Sequence, residues 1–247
     1  MLFVCSSNAV GAQTVPINLT LQISDGNDDA EQFSSGFMIL GSSDIEMVND
    51  NGSDITSGFR FQNVLLPANS NVISAHLEFF VDETSTIATN LRIRGEHANS
   101  APFNSSFSNI TNRNLSGASV NWQPAAWTSL NVSGADQRSP DLKNIVQEII
   151  NSGNWSEGGA MTFVVDGSGL RTAISYNKNS SRAARLIIEA EVELSTTPVS
   201  GVVINEVAPF ASDFLDEENK REDWVELYNT TNQVINIGGL YLSDKAS

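Results

Sequence analysis

The amino-acid sequence predicts an all-β protein whose main domain is a β-sandwich. Short apolar runs alternate with polar turns along most of the 247 residues, and many runs carry an apolar residue at every second position. This period places apolar side chains on one face of a strand, which is typical of half-buried strands. Helical segments do not alternate with these runs, which argues against an α/β fold and favours a sandwich.

Seven runs show the two-residue period most clearly and are predicted to be strands. They are Ile17–Ile23, Phe59–Pro67, Val72–Glu83, Asn90–Ala98, Ala160–Gly167, Arg171–Tyr176 and Ala184–Leu194. Because 40% of the residues are hydrophobic and only 17% are charged, the chain can bury a sizeable core.

One amphipathic helix is predicted over Ser139–Gly153. Ser139 suits the N-cap, Pro140 the first helical position, and the charge of Asp141 favours the positive end of the helix dipole. Gly153 supplies a stop signal. The apolar stripe expected to pack on the sandwich consists of Leu142, Ile145, Val146, Ile149 and Ile150.

The chain is strongly acidic, with a net charge of −16 at pH 7. Phosphate backbones repel such a surface, so nucleic acid is disfavoured as a partner and a bound cation is more compatible. The alternative is that the charge serves only solubility. The single cysteine, Cys5, excludes an intramolecular disulfide, so the fold must depend on its core.

The N-terminus has the character of an export signal. A short apolar run precedes Val10 and Ala12, which resemble a signal-peptidase site, so residues 1–12 are predicted to be the remnant of a signal peptide. The alternative is a lipoprotein anchored at Cys5, which the large Val4 disfavours. No stretch reaches the roughly 18 apolar residues of a membrane helix. The expected location is therefore extracellular or at the cell surface.

A short acidic segment, Ser24–Glu31, is the candidate metal site. Hard cations such as Ca²⁺ take carboxylate and carbonyl oxygens, although the spacing here differs from that of an EF-hand. The alternative is a solvated acidic turn. The predicted Ca²⁺ ligands are Asp25, Asp28, Asp29 and Glu31. A second acidic segment, Ser42–Asp54, either shares that ion or forms the rim of a hairpin.

Four aromatic residues are candidates for ligand binding. Flat rings match the apolar faces of pyranose sugars, so a stacking platform is possible, and the alternative is packing in the core. The candidates are Trp122, Trp127, Trp155 and Tyr176.

Catalytic motifs are missing from the sequence. It contains no G-x-S-x-G elbow, no Walker A motif and no G-x-G-x-x-G motif. His76 and His97 are the only histidines, and without cysteine partners they do not make a zinc site. His76 is expected on the surface of its strand. No catalytic residue is therefore assigned, and the chain is predicted not to be an enzyme.

The order of several motifs resembles the jelly-roll modules of the DNRLRE and disaggregatase-related kind found in extracellular bacterial proteins. The motifs are "DDAEQ", "SSDIEMVND", "GFRFQNVLLPANSNVISAHLEFFVDE", "LRIRGEHA", "VNWQPAAW", "DLKNIVQEIINSGNW" and "ARLIIEAEVEL". The resemblance implies a jelly-roll sandwich over residues 15–194 with one packed helix. Its relatives include carbohydrate-binding modules and surface-protein stalks, which are generally not catalysts.

After a Ser/Thr/Pro/Gly linker at residues 195–201, the segment 202–247 is similar to the start of a lamin tail domain. The motifs are "VVINEVAP", "DWVELYN" and "INIGGLYLSD". That family has an immunoglobulin-like fold, which needs about 100 residues, so this segment is expected to be incomplete. Glu206 and Glu226 match motif positions and are expected to face each other across paired strands.

Together these features predict a secreted or cell-surface, non-catalytic protein that serves adhesion or targeting by binding polysaccharide or a cell-surface protein. Two alternatives stay open. The chain is the non-catalytic N-terminal part of a larger secreted hydrolase of the nuclease or phosphatase type, or it is a calcium-stabilised structural spacer.

Overall fold

The structure is a computed structural model that describes residues 14–97, 99–193, 201–208, 224–235 and 237. Thr14–Glu193 form one compact unit, and the described residues from Gly201 onward belong to a second. The predicted signal peptide lies outside the described residues, as do most of the linker and the charged segment Ser212–Asp223. In the part of the chain that is described, no helix has the length and apolar character needed to cross a bilayer.

The first unit contains thirteen strands and one α-helix. Its strands are β1 (Thr14–Gln22), β2 (Asp29–Phe33), β3 (Met38–Leu40), β4 (Asp44–Met47), β5 (Asn49–Asp50), β6 (Ser53–Phe61), β7 (Ser70–Glu78), β8 (Val81–Glu83), β9 (Asn90–Gly95), β10 (Val120–Trp122), β11 (Met161–Ser168), β12 (Arg171–Ile174) and β13 (Arg185–Glu193). The helix α1 spans Lys143–Ile150. The all-β prediction with one helix is therefore confirmed.

All strand pairs in this unit are antiparallel. The largest sheet has the order β10-β9-β11-β6-β2-β3, with β5 paired to β6. Two smaller sheets have the orders β1-β13-β7 and β4-β12-β8. Buried residues from all three sheets form one continuous apolar cluster, so the sheets pack as the layers of a sandwich.

The centre of this core is aromatic. The Phe59 and Phe79 rings meet edge to face with centroids 5.1 Å apart, and Phe79 stacks on Trp122 at 5.9 Å. Such pairs add specific geometry to the burial of large apolar surfaces. Closely packed aromatic rings therefore fill the centre of the core.

Helix α1 packs on β7 and β9, and the predicted apolar stripe is buried. The helix begins three residues later than predicted, at Lys143 and not at Pro140, because Ser139 has another use. Its hydroxyl accepts a hydrogen bond from the Leu77 N–H at 3.0 Å and so ties the segment before the helix to β7. Asp141 accepts the N–H of Lys143 at 2.9 Å instead.

Three sequence-based predictions of strand position need correction. The predicted strand Val72–Glu83 is divided between β7 and β8, which belong to different sheets. The predicted strand Phe59–Pro67 ends at Phe61, because Asn63 adopts a φ of 54° that no strand contains. Val64 and Leu66 are nevertheless buried, which explains the continued apolar alternation. The two acidic segments contain strands as well as turns, because the first ends in β2 and the second includes β4 and β5.

The outer face of the large sheet carries a second, smaller core. A covering loop, residues 99–119, places Phe103 and Ile110 on Ala30 and Val164. Gly58 makes this contact possible, since a Cβ there would lie 2.4 Å from Cζ of Phe103. The loop is therefore packed onto the sheet.

The second unit contains one described antiparallel pair, β14 (Val202–Ala208) and β15 (Trp224–Asn229). Glu206 lies opposite Glu226, as expected from the sequence. The register is interrupted between Ile204 and Glu206, which leaves Asn205 as the extra residue, and its Nδ2 donates to Glu226 Oε2 at 3.1 Å.

Truncation of a buried side chain in the apolar stripe of α1 should strongly destabilise the protein. We expect Ile149→Ala to lower the free energy of unfolding by about 2–5 kcal/mol, because Ile149 is fully buried and its loss leaves a cavity. The matched control is Ile87→Ala, which makes the same chemical change at a residue that is 54% exposed. Urea unfolding of both variants measures the difference, and equal losses would contradict the packing role of Ile149.

Candidate functional site

The predicted tryptophan platform is wrong. Trp122, Trp127 and Trp155 are all buried in the main core, so no sugar ring can stack on them. Trp155 donates its ring N–H to the Leu66 carbonyl at 2.8 Å, which shows how the polar edge of a buried indole is satisfied. Tyr176 is half-buried and packs against the same cluster. These residues therefore serve the alternative role of core packing.

Three of the four acidic residues in the segment Ser24–Glu31 are buried, and their carboxyl groups diverge. Asp28 binds Arg60 Nη1 at 2.8 Å and Gln62 Nε2 at 2.6 Å, so both of its oxygens already have partners. Asp25 stays exposed and accepts the Asn27 N–H at 2.9 Å. Because successive strand residues point to opposite faces, Asp28 lies on the other side of the strand from Asp29.

Asp29 and Glu31 instead reach toward a second sheet. Asp29 Oδ2 accepts the N–H of Tyr176, directly beyond β12, at 2.6 Å. Glu31 Oε1 accepts the N–H of Glu46, on β4, at 2.6 Å. The two carboxyl groups of β2 thus join the large sheet to the sheet of β4, β12 and β8.

The predicted set of four calcium ligands is therefore not assembled. Among the residues that the structure describes, no group of three or more His, Cys, Asp or Glu side chains is arranged to hold a metal ion. The physical reason is the pairing of Asp28 with Arg60, whose positive charge takes the place that a cation would occupy. Of the four predicted ligands, only Glu31 lies opposite a carboxyl group of the neighbouring sheet, that of Glu46.

Burial changes the protonation of these acids. Desolvation raises the pKa of Asp29 to about 7, although the Tyr176 N–H opposes the shift. Desolvation, together with hydrogen bonding to the Glu46 side chain, raises the pKa of Glu31 to about 10. The pKa of Glu46 is raised as well, also chiefly by desolvation. At neutral pH the Glu31–Glu46 pair therefore retains a proton.

One exposed feature suited to a ligand lies on the covering loop. The Phe107 side chain is 68% exposed, and its ring edge rests on Gly36, where a Cβ would lie 2.3 Å from Cε1. Next to it is an open hollow of about 340 Å³, whose wall includes the exposed Asn112 and Asn114. Within the described chain the amide groups of these two asparagines make no hydrogen bond, so they are free to meet a ligand.

A second hollow of about 260 Å³ adjoins the first, with Arg113 in both walls. It is also lined by Arg94 and Asp166, which form an ion pair at 2.8 Å. Arg92 binds the same Asp166 through two hydrogen bonds of 2.8 Å. Two arginines share one carboxylate here, so this part of an acidic protein carries a local excess of positive charge.

Arg113 holds the covering loop in place. Its guanidinium binds Glu96 at 2.6 Å and lies 4.3 Å from the centroid of the Phe103 ring. Gln32 of β2 secures the loop from below, because its side-chain oxygen accepts the N–H groups of Ile110 and Thr111. The hollow next to Phe107 therefore has a fixed shape before any ligand arrives.

The far end of the loop is fixed by helix α1. Glu148 accepts the N–H groups of Gly117 and Ala118, each at 2.7 Å, and also contacts His97 Nε2. His76 is half-buried, and its Nδ1 lies 2.9 Å from the Ser139 carbonyl oxygen, so its expected surface position is only partly correct. In the described residues neither histidine hydrogen-bonds to a hydroxyl group that could act as a nucleophile.

Sequence reasoning missed Phe107. The available signal was a phenylalanine in the polar stretch "NSSFSNITNRN", in which the only other apolar residue is Ile110. No family model matches the chain, and a search of the curated proteins finds no match.

The raised pKa values predict a fall in stability as pH increases. Asp29 binds a proton in the folded state up to about pH 7, whereas in the unfolded chain it releases this proton near pH 3.9. In EDTA buffer we therefore expect the free energy of unfolding to decrease from pH 5 to pH 7, by at most about 1.4 kcal/mol per pH unit for this one proton. Glu31, with a pKa of about 10, extends the decline to higher pH.

Asp29→Asn should make this decline shallower, because the variant has no proton to lose at that site. The exposed Asp136 provides the matched control, Asp136→Asn, whose slope should equal that of the wild type. Urea unfolding at a series of pH values measures both slopes. An unchanged slope in Asp29→Asn would contradict the assignment.

Proposed function

We propose that this protein is a secreted or cell-surface, non-catalytic binding module, and that it binds polysaccharide through the covering loop. The observation that carries the proposal is the exposed Phe107 ring beside a preformed polar hollow. An aromatic face matches the apolar face of a pyranose ring, and neighbouring amides suit its hydroxyl groups. The export-like N-terminus and the resemblance to extracellular jelly-roll modules support the same role.

The amides of Asn112 and Asn114 give the site its polar part. A side-chain amide both donates and accepts hydrogen bonds, as a sugar hydroxyl does, so two free amides can recognise neighbouring hydroxyl groups. Because these amides are neutral, their dehydration on binding costs less than that of charged side chains. Because the amides of Asn112 and Asn114 are uncharged, we expect the hollow beside Phe107 to bind an uncharged part of the polysaccharide.

The anchoring of the loop favours binding without prior rearrangement. Arg113 and Gln32 hold the middle of the loop, and Glu148 holds its far end. A preformed surface loses little conformational entropy when a ligand binds. This is the property expected of a module that displays one fixed surface to an extended polymer.

We also propose that the segment from Val202 begins a second, lamin-tail-like domain. The pair register places Ile204 and Leu227 opposite each other on one face, with Val207 opposite Val225 on the same face, and all four are exposed. A two-stranded pair with an apolar face needs a covering layer to be stable. An immunoglobulin-like sandwich would supply that layer, so the exposed apolar face supports the proposed lamin-tail-like domain.

The stacking role predicts a specific loss of binding in Phe107→Ala. Wild-type protein on a polysaccharide array should bind at least one glycan, and the variant should bind it at least tenfold more weakly, because truncation of a central aromatic contact costs about 2 kcal/mol or more. The melting temperature should stay within about 1 °C of the wild type, since an exposed side chain contributes little to stability.

Phe37→Ala is the matched control, because Phe37 is 62% exposed and does not line the hollow. This variant should retain the affinity of the wild type. Equal binding by Phe107→Ala and the wild type would contradict the site, and a wild-type protein that binds no glycan would contradict the function.

A further inference from the structure

The sheets of the sandwich meet at a seam of acidic side chains. We define the carboxyl seam as Glu31 on β2, Glu46 on β4 and Thr172 on β12. Glu31 is buried, its Oε1 accepts the backbone N–H of Glu46 at 2.6 Å, and the Glu46 side chain is close enough to act on its pKa. The other charged groups that act on this pair, Asp44 and Asp50, are also acidic. The carboxyl groups of Glu31 and Glu46 are therefore close together, and the charged groups that shift their pKa values include no cation.

A second observation points to a ligand in the seam. Thr172 is the direct partner of Glu46 in the β4–β12 pairing, so both side chains leave the sheet on the same side. Thr172 is only 1% exposed, and its Oγ1 is buried with no hydrogen-bond partner in the described protein. Buried hydroxyl groups without partners are rare in folded proteins and call for an explanation.

A further oxygen without a partner lies near the seam. Asp29 is two residues before Glu31 and projects from the same face of β2. Its Oδ1 is buried and has no hydrogen-bond partner in the described protein, although its Oδ2 binds the Tyr176 N–H. Unsatisfied oxygen atoms thus occur on both of the surfaces that meet here.

We propose that the carboxyl seam binds one divalent cation, Ca²⁺, between the carboxylates of Glu31 and Glu46, with Oγ1 of Thr172 as a further oxygen ligand. Two carboxylates carry the charge that neutralises one such ion. Ca²⁺ accepts carboxylate, hydroxyl and water oxygens in a flexible arrangement. The ion would link β2 to β4 and β12, the same sheets that the Glu31–Glu46 hydrogen bond already joins.

The nearby cationic side chains are engaged elsewhere. Arg60 binds Asp28, and Lys178 binds Asp82. Lys178 is close enough to Asp44 for that carboxylate to contribute to its raised pKa, but its ion pair is with Asp82. Ca²⁺ binds deprotonated carboxylates, so its affinity for the seam should fall as the pH is lowered.

Competition with protons gives the proposal a distinctive test. We expect CaCl₂ to raise the melting temperature of the full chain, first freed of metal by EDTA and dialysis, by roughly 5–10 °C at pH 8 when free Ca²⁺ exceeds its Kd about 100-fold. At pH 5 the shift should be much smaller, because the higher proton concentration competes more strongly with Ca²⁺ for the carboxylates. Isothermal titration at pH 8 should show one Ca²⁺ per chain with release of protons.

Three variants locate the ion. Glu31→Gln and Glu46→Gln should each lower the Ca²⁺ affinity at least tenfold, and Glu31→Gln should still fold because an amide oxygen can accept the Glu46 N–H as the protonated acid does. Thr172→Val should weaken Ca²⁺ binding while leaving the ion-free melting temperature unchanged or higher, because Oγ1 has no partner to lose. Glu189→Gln, at an exposed carboxylate on β13, is the charge control and should bind like the wild type.

The results that overturn the proposal are equally specific. A wild-type melting temperature that does not respond to Ca²⁺ at pH 8 but rises on acidification would show that the seam binds protons only. An equal Ca²⁺ shift in the wild type, Glu31→Gln and Glu46→Gln would place the ion elsewhere. Unchanged affinity in Thr172→Val would remove that hydroxyl from the ligand set.

Discussion

The structure of the first unit depends on β2, a short strand that is buried on both faces although it carries charged and polar residues. On one face Asp29 and Glu31 accept backbone N–H groups from the neighbouring sheet. On the other face Ala30 and Gln32 hold the covering loop. A buried polar group is tolerable only when it has hydrogen-bond partners, so the strand, the second sheet and the loop must be positioned together.

This constraint links stability to the candidate binding surface. The covering loop has little regular secondary structure, yet Arg113 and Glu148 fix it through short charged hydrogen bonds. Phe103 packs against Gly58 beneath it, at a contact that any larger residue would disturb. The exposed Phe107 therefore stands on a rigid support, and the outer face of a β-sheet gains a specific surface without any change in the sandwich core.

Part of the architecture could be predicted because it is local. The alternation of apolar residues revealed β1, β7, β9, β11, β12 and β13, and the stripe Leu142–Ile150 revealed the helix. The strands β2 and β4 were missed because their carboxyl groups suggested solvent exposure. Whether an acidic residue is buried depends on partners such as Arg60 and the Tyr176 N–H, which are distant in sequence. The candidate site was missed for a related reason. The sequence does not show that the three tryptophans are buried and that Phe107 is exposed.

The sequence alone determined the all-β class, the single packed helix and the acidic charge, because each follows from periodicity or composition within a short window. Only the tertiary structure decided which side chains are available to a ligand. It buried Trp122, Trp127 and Trp155, exposed Phe107, and set Glu31 against Glu46. The physical reason is that the exposure and pairing of a side chain depend on how the sheets pack together. The residues that meet there are distant in sequence, so no local pattern predicts their contact.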